Sequence, residues 1–258
     1  MKFFDVVTDD LGITTITFDR PPVNAVSYDV YRDVRELSER LIEDDTTRVA
    51  ILTADPNGRA WCGGAELKEF LPLDQDSRLQ RYSLVNDCLP RLLSVDRPII
   101  AAMEKPAIGV GMVLASFCDI RIASESAFFA APEVDRGVLP GGGGFFTRLN
   151  MPLGIVREMI FTGRRFTAQE MLAAGYLNYV MPNGTVMDKA RELAEILAKK
   201  SLPAQKENKR SAIAAEDMNW RDAYKATNAA SARLTATLDA KENVRAVLEK
   251  REPQLFDQ

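Results

Sequence analysis

The chain has 258 residues, enough to bury a sizeable hydrophobic core, and its composition is that of a soluble globular protein. Its formal net charge of -4 argues against a nucleic-acid partner, which needs a basic face. No apolar run approaches the ~18 residues of a membrane helix, and the acidic N-terminus lacks the apolar stretch of a secretory signal. We therefore expect a cytoplasmic protein with no membrane partner.

Strand and helix signals alternate through the first two thirds of the chain. Residues 6–18 predict two short strands around a turn at residues 9–12. A helix with one apolar face follows, formed by Val30, Val34, Leu37 and Leu41. Continuous apolar runs then predict buried parallel strands at residues 49–53, 98–103 and 119–123. This alternation is typical of an α/β fold.

The last third of the chain is expected to be helical. Thr167 and Glu170 match a capping box at the start of a helix. A second apolar helical face runs from residue 186 to residue 197, and no strand signal follows Pro203. We therefore divide the chain into an α/β core over residues 1–200 and a helical C-terminal element over residues 201–258.

The chemistry open to the chain is limited by the absence of histidine. Ser-His-Asp and Cys-His catalysis are removed, and so is the commonest ligand of transition metals. The three cysteines have no metal-ligand spacing and indicate a reduced setting, so we predict neither a metal site nor a disulfide framework. Proton transfer must therefore use Asp, Glu, Lys, Tyr or Cys.

Three segments combine glycines with an expected turn: residues 61–68 (WCGGAELK), 105–112 (KPAIGVGM) and 131–144 (APEVDRGVLPGGGG). The first two follow predicted strands and precede predicted helices, where free backbone N–H groups can face an anion. The second segment lacks the last glycine of a dinucleotide fingerprint, and the third lacks the lysine of a phosphate loop. Each segment alone is equally typical of a tight loop.

The order and spacing of these segments resemble the enoyl-CoA hydratase/isomerase (crotonase) superfamily. The resemblance is carried by residues 20–25, 49–53, 62–67, 98–102, 109–111, 118–123, 132–143, 161–166 and 173–178. It implies the crotonase-type fold, a spiral of ββα units with a helical C-terminal element. It also implies an acyl-CoA substrate, no cofactor beyond the coenzyme A of that substrate, and a homotrimer or hexamer with the C-terminal helices at the interfaces.

By the same resemblance, the backbone N–H groups of Ala65 and Val110 hold the thioester oxygen as it becomes an enolate. The resemblance also places substrate contacts at Ala25, Gly63, Gly64, Leu67, Lys68, Gly109, Gly111, Pro132, Gly141 and Gly142. A basic residue of a neighbouring subunit often contacts coenzyme A in this family, for which Lys206, Lys209 and Arg210 are the candidates. Residues 71–93, which match no signature, are expected to set the acyl specificity.

Glu133 matches the second of the two glutamates that family hydratases use, whereas the first position is Val113. The further acid of dienoyl-CoA isomerases falls on Gly141. A single glutamate most resembles the Δ3,Δ2-enoyl-CoA isomerases, in which one carboxylate removes and returns the proton. Alternatives within the fold are a hydroxycinnamoyl-CoA-type hydratase-lyase, a decarboxylase, a thioester hydrolase and a non-catalytic RNA-binding protein. Cys62, Glu66 and Asp135 are nearby candidates for a second proton carrier.

Overall fold

The computed structural model describes residues 1–141, 146, 149 and 151–257. Its larger sheet contains six strands in the order β1-β2-β3-β4-β6-β9, and all neighbours except β1 and β2 are parallel. These strands are β1 (Phe4–Thr8), β2 (Ile13–Phe18), β3 (Val49–Ala54), β4 (Ile99–Met103), β6 (Ile120–Ser124) and β9 (Tyr179–Met181). The smaller sheet joins β5 (Ala107–Ile108), β7 (Phe128–Ala130) and β8 (Phe166–Thr167).

The helices cover the sheets and then continue as a C-terminal group. Those before residue 200 are α1 (Tyr28–Glu43), α2 (Gln75–Cys88), α3 (Arg91–Ser94), α4 (Val110–Ser116), α5 (Leu153–Thr162), α6 (Ala168–Ala173) and α7 (Val186–Ala198). The C-terminal group is α8 (Leu202–Ala215), α9 (Trp220–Leu234) and α10 (Leu238–Glu249). Two short 3-10 helices, Leu67–Glu69 and Pro132–Arg136, lie beside the glycine-containing segments.

The predicted apolar face of α1 is buried, and the apolar runs predicted as strands are β3, β4 and β6. The helix predicted at the capping box is α6, in which Thr167 and Glu170 bond reciprocally. The expectation that the last third is helical was wrong at β9, which lies there, and β8 lies just before it. Both are too short to show a period in the sequence, and they form by pairing with β7 and β6.

Two hydrophobic clusters lie on either side of the larger sheet. The larger joins the sheet to α1, α4 and α6, and the smaller packs α7 onto β3, β4 and β6. The C-terminal helices instead expose several large apolar side chains, among them Trp220, Tyr224, Val244, Val247 and Leu248. Within the described ranges, no helix is both long enough and apolar enough to cross a membrane.

Candidate active site

Two loops that the sequence analysis singled out run side by side. Cys62 forms an isolated parallel bridge with Ala107, and the N–H of Ile108 donates to the carbonyl of Cys62 at 2.9 Å. Ala65 and Val110 each lie three residues beyond this bridged pair. Because the two segments run in the same direction, the pairing carries Ala65 and Val110 to the same end of the two loops.

The backbone N–H groups at these two positions remain available to a ligand. Val110 is the first residue of α4, so its N–H has no partner within the helix. Ala65 forms a bridge with Val26, but the two hydrogen bonds of this bridge use the carbonyl of Gly64 and the N–H of Glu66. The N–H of Ala65 itself takes no part in them. Neither N–H donates a backbone hydrogen bond to any other described residue. Two unpaired donors are thus available in neighbouring loops.

Close backbone contacts require glycine at two positions in these loops. A Cβ atom at Gly63 would lie 2.8 Å from the carbonyl oxygen of Val23, and one at Gly111 would lie 2.6 Å from that of Cys62. Both distances are shorter than van der Waals contact allows. The two glycines therefore let the loops and α4 pack together, which fixes the direction of the free N–H groups.

Glu133 lies on the 3-10 helix Pro132–Arg136, which begins with proline and ends at Gly137 in the left-handed conformation. This element directs its carboxylate over Gly109, where an added Cβ atom would collide with Oε1. Gly109 also has a φ of +54°, which disfavours any side chain, and its N–H donates to Ala130 at 2.8 Å. The carboxylate is thus held against the start of α4, next to Val110.

The environment of Glu133 favours the protonated form of its side chain. Its Oε2 atom is inaccessible to solvent and has no hydrogen-bond partner among the described residues. Burial raises the pKa of this carboxyl above its ordinary value, and a hydrogen bond from its own backbone and the charge of Arg136 offset only part of the increase. A carboxyl with a raised pKa is suited both to removing a proton and to returning it.

The other proton carriers considered from the sequence are poorly placed. Cys62 is fully buried, and burial raises the pKa of its thiol to about 12. Glu66 is paired with Arg20 at 3.0 Å, and this hydrogen bond holds the pKa of its carboxyl below the usual value. Asp135 is exposed and its Oδ2 atom lies near Gly163 rather than over the cavity. Val113, at the first-glutamate position, is buried in the core with 4% of its surface exposed.

An outer cavity of about 310 Å³ brings most of the predicted site residues together. Its walls include Ala25, Gly63, Gly64, Ala65, Leu67, Lys68, Gly109, Pro132 and Glu133. Val110 and Gly141 line an adjoining inner cavity of about 50 Å³, which Ala65 and Glu133 also border. Gly111 lines neither cavity and serves the packing of α4 against Cys62. Gly142 lies outside the described residues.

Two cations, Lys68 and Arg136, border the outer cavity. Both are exposed to solvent. Lys209, one of the predicted coenzyme A contacts, instead donates from a buried position to Asp119 at 2.7 Å and to the carbonyl of Arg97 at 3.0 Å. That arrangement assigns Lys209 a role in packing α8 onto the core.

Helix α2 provides side chains that the sequence analysis did not single out. Arg78, Arg81, Tyr82 and Val85 line the inner cavity. Their spacing places them on one face of the helix. This spacing is the only feature of the sequence that indicates a shared cavity wall. It does not distinguish such a wall from an ordinary exposed helix face, because a polar helical face is normally solvated. The cavity wall supplied by α2 lies within the range of residues 71–93 that was expected to set acyl specificity.

The comparisons with known proteins agree with this geometry. The family model of enoyl-CoA hydratase/isomerase matches residues 8–258. Carnitinyl-CoA dehydratase of Proteus mirabilis is 34% identical over 252 residues, which cover 94% of each chain. Short-chain-enoyl-CoA hydratase of Clostridium acetobutylicum is 28% identical over 260 residues, which cover 99% of each chain.

Solved structures extend the likeness to the whole fold. Enoyl-CoA hydratase of Mycobacterium smegmatis superposes with a TM-score of 0.94 at 25% identity, over 98% of this chain and 99% of that one. An enoyl-CoA hydratase subunit of Geobacillus kaustophilus gives 0.91 at 31% identity, over 99% and 98%. The fold is the crotonase fold, as the sequence predicted. The chain belongs to the enoyl-CoA hydratase/isomerase family, and it is an enzyme that acts on an acyl-CoA.

Proposed function

We propose that this enzyme moves a proton on an enoyl-CoA thioester through an enolate, with Glu133 as the single acid and base. The observation that carries the proposal is the solvent-inaccessible Oε2 atom of Glu133, which has no hydrogen-bond partner among the described residues, in a carboxyl held between Gly109 and the inner cavity. The other candidate carriers are buried, ion-paired or turned away from this point. The reaction is therefore of the isomerase type.

The two free N–H groups supply the stabilisation that proton removal needs. When a carbon next to a thioester loses a proton, negative charge develops on the thioester oxygen. The N–H groups of Ala65 and Val110 are fixed by the paired loops and need no rearrangement to meet that charge. The loss of one such donor typically costs about 3 kcal/mol of transition-state stabilisation.

A single carboxylate suffices for the proposed reaction because the same group removes one proton and returns one, and exchange of its proton with solvent before the return introduces deuterium. The Glu133 carboxylate removes a proton at one end of the unsaturated system and delivers one at the other, so the double bond shifts. Addition of water, in contrast, requires a group that orients the water, for which the family uses a glutamate where this chain has Val113. The buried position of Val113 supports the isomerase type over the hydratase type.

Coenzyme A is proposed to enter through the outer cavity. The outer cavity is bordered by the exposed cations Lys68 and Arg136 and by Ala65, and Ala65 and Val110 both border the adjoining inner cavity. The phosphates would therefore lie beside the cations and the thioester where the two cavities adjoin. We further propose a homotrimer or hexamer, with α8 to α10 at its interfaces. The exposed apolar side chains of those helices support such an assembly.

The proposal is tested by incubating the protein with crotonyl-CoA and longer 2-enoyl thioesters in deuterated water. Mass spectrometry of the thioester is expected to show deuterium incorporation without gain of water. The Glu133→Gln variant, which keeps the shape of the side chain, serves as the matched control and is expected to show no incorporation. Net addition of water would overturn the isomerase-type reaction, and exchange that persists in Glu133→Gln would overturn the role of Glu133.

A further inference from the structure

The inner cavity is bordered by a buried arginine, which is an unusual side chain beside a space that would receive the end of an acyl chain. Arg81 borders this cavity, yet its side chain is only 2% exposed to solvent. A buried guanidinium is costly unless its N–H groups are paired. Nη1 donates to Glu69 at 2.5 Å, whereas Nη2 is inaccessible to solvent and has no hydrogen-bond partner among the described residues.

The position of Arg81 is set by its neighbours independently of any ligand. Its guanidinium lies over the rings of Tyr28, Phe70 and Tyr31, with centroid distances of 4.5, 5.0 and 5.3 Å. Glu69, which holds Nη1, also accepts the N–H of Tyr28 at 3.0 Å. Ring faces attract the cation but accept no strong hydrogen bond, so Nη2 has no acceptor within hydrogen-bond geometry among the described residues.

A second guanidinium increases the positive charge of the same wall. Arg78 lines the cavity one helical turn before Arg81 and stacks on Phe70 at 4.2 Å. Its Nη2 atom donates to the Tyr82 hydroxyl at 3.1 Å, and within the described part of the chain it forms no ion pair. Two cations thus share this wall. Among the described residues Arg81 pairs with Glu69 and Arg78 has no ion-pair partner, while the carboxyl of Glu133 borders the same cavity.

We propose that the acyl group of the substrate ends in a carboxylate, which Arg81 binds through Nη2 with Arg78 and Tyr82 beside it. The substrate class is therefore the monothioester of a short unsaturated dicarboxylic acid. A carboxylate would supply a hydrogen-bond acceptor for Nη2, and its negative charge would offset the positive charge of the two guanidinium groups. This inference rests on the proposed function, because it places the thioester at Ala65 and Val110.

The size of the inner cavity limits the length of that acyl group. The cavity is about 50 Å³, and one water molecule needs roughly 10–15 Å³ of such space. A carboxylate and the carbon atoms next to it fill this cavity, and the rest of a short acyl group lies where it adjoins the outer cavity, beside Ala65 and Glu133. Since Ala65, Val110 and Arg81 border the same small space, the thioester and the distal carboxylate must be separated by a short chain.

The first test uses the unmodified protein and needs no variant. Glutaryl-CoA and pentanoyl-CoA have the same chain length and differ only in the terminal carboxylate, so their dissociation constants are compared by calorimetry. We expect glutaryl-CoA to bind roughly 10- to 100-fold more tightly, the range of one charge-assisted hydrogen bond. Equal affinity, or tighter binding of pentanoyl-CoA, would overturn the proposal while leaving the acyl-CoA activity intact.

The second test assigns the preference to Arg81. Arg81→Met is expected to remove the preference for glutaryl-CoA, whereas Arg91→Met, which changes an arginine paired with Asp87 outside the cavities, is expected to keep it. If Arg81→Met does not fold, Arg81→Met combined with Glu69→Gln removes both charges of the pair and takes its place. A preference that survives the loss of Arg81 would overturn the assignment.

The two proposals fail in different ways. Selective binding of glutaryl-CoA without deuterium exchange into glutaconyl-CoA would contradict the proton transfer by Glu133 and support the carboxylate site. Exchange into 2-pentenoyl-CoA at the rate seen with glutaconyl-CoA would support the proton transfer and contradict the carboxylate site. Absence of binding by every thioester would contradict both.

Discussion

Oε1 of Glu133 lies directly above the α-carbon of Gly109, in the space that a side chain at position 109 would occupy. The proposed acid/base group and the turn that presents the N–H of Val110 are therefore fitted to each other. A methyl group at position 109 would meet the carboxylate before it met anything else. The catalytic geometry thus depends on a residue that has no side chain.

The Gly109→Ala variant is expected to lose activity more than stability. The new methyl group displaces the Glu133 carboxylate and strains a backbone with a φ of +54°. We expect turnover to fall at least ~100-fold, since misplacement by about an ångström can cost that much. The free energy of unfolding should fall by about 1–3 kcal/mol.

Turnover of enoyl-CoA and urea denaturation measure the two effects of Gly109→Ala separately. Gly137→Ala is the matched control, because Gly137 has a similar φ of +67° but open space where the methyl group would go. Comparable activity losses in the two variants would contradict the specific contact with Glu133.

The pH dependence of the reaction should reflect the burial of Glu133. The base form is the carboxylate, and burial raises the pKa of this carboxyl. The rate therefore falls as the pH is lowered through that raised pKa, and the acid limb of kcat/KM should lie above the ~4.3 of an ordinary glutamate. A pH profile of kcat/KM measures this limb in the free enzyme. An acid limb at or below the ordinary value would contradict the buried environment.

Glu133→Gln is expected to be more stable than the unmodified protein at neutral pH. Because the pKa of Glu133 is raised in the folded state, the folded protein binds its proton more tightly than the unfolded chain does. Stability is then lost as the pH rises from the unfolded pKa through the folded one. Glutamine does not ionise, so its advantage should appear over this window and amount to about 0.5–2 kcal/mol above it.

The stability of Glu133→Gln is compared with that of the parent by urea denaturation at several pH values. Turnover should fall about 100- to 10,000-fold over the same range, as for the loss of a general acid/base. A variant that is less stable than the parent at neutral pH would contradict the unfavourable burial of the carboxylate.

Lys209→Met is expected to reduce stability rather than affinity for coenzyme A. Lys209 pairs with Asp119 through a side chain that is 6% exposed, so its removal leaves Asp119 without its cation. Asp119 is itself partly exposed, and we expect a loss of about 1–3 kcal/mol in the free energy of unfolding. Lys206→Met changes a more exposed lysine, 4.0 Å from Asp96, and should cost about 0.5 kcal/mol or less.

Urea denaturation of both lysine variants tests this difference, and titration with acyl-CoA tests the binding. Unchanged stability of Lys209→Met, or a weakened affinity for acyl-CoA in a folded Lys209→Met protein, would restore Lys209 as a coenzyme A contact.

The glycine-containing loops were visible in the sequence because they are encoded locally, whereas Glu133 was singled out only through the resemblance to the family. Residues 62–67 and 109–111 carry glycines at fixed distances from apolar strands, and such spacing is visible without a structure. The apolar strands and the buried face of α1 were visible for the same reason, since their periods are regular.

The role of Lys209 could not be predicted because its partner, Asp119, lies 90 residues earlier in the chain. The burial of Arg81 could not be predicted from the sequence either, because it depends on contacts with residues distant in the chain. Tyr28, Tyr31 and Phe70 enclose its guanidinium, and they come from α1 and from the chain just after the 3-10 helix Leu67–Glu69. Arginine in a polar helix is normally solvated, and only tertiary contacts reverse that expectation.

The use of main-chain donors at Ala65 and Val110 has a consequence for genetics. Most substitutions at these two positions keep the N–H group, so a saturation mutagenesis screen should find both codons tolerant. Intolerance should appear instead at Gly63, Gly109 and Gly111, whose missing side chains hold the donors in place. A screen that equates sensitivity with chemical participation would thus locate these two donors one or two residues away from the N–H groups themselves.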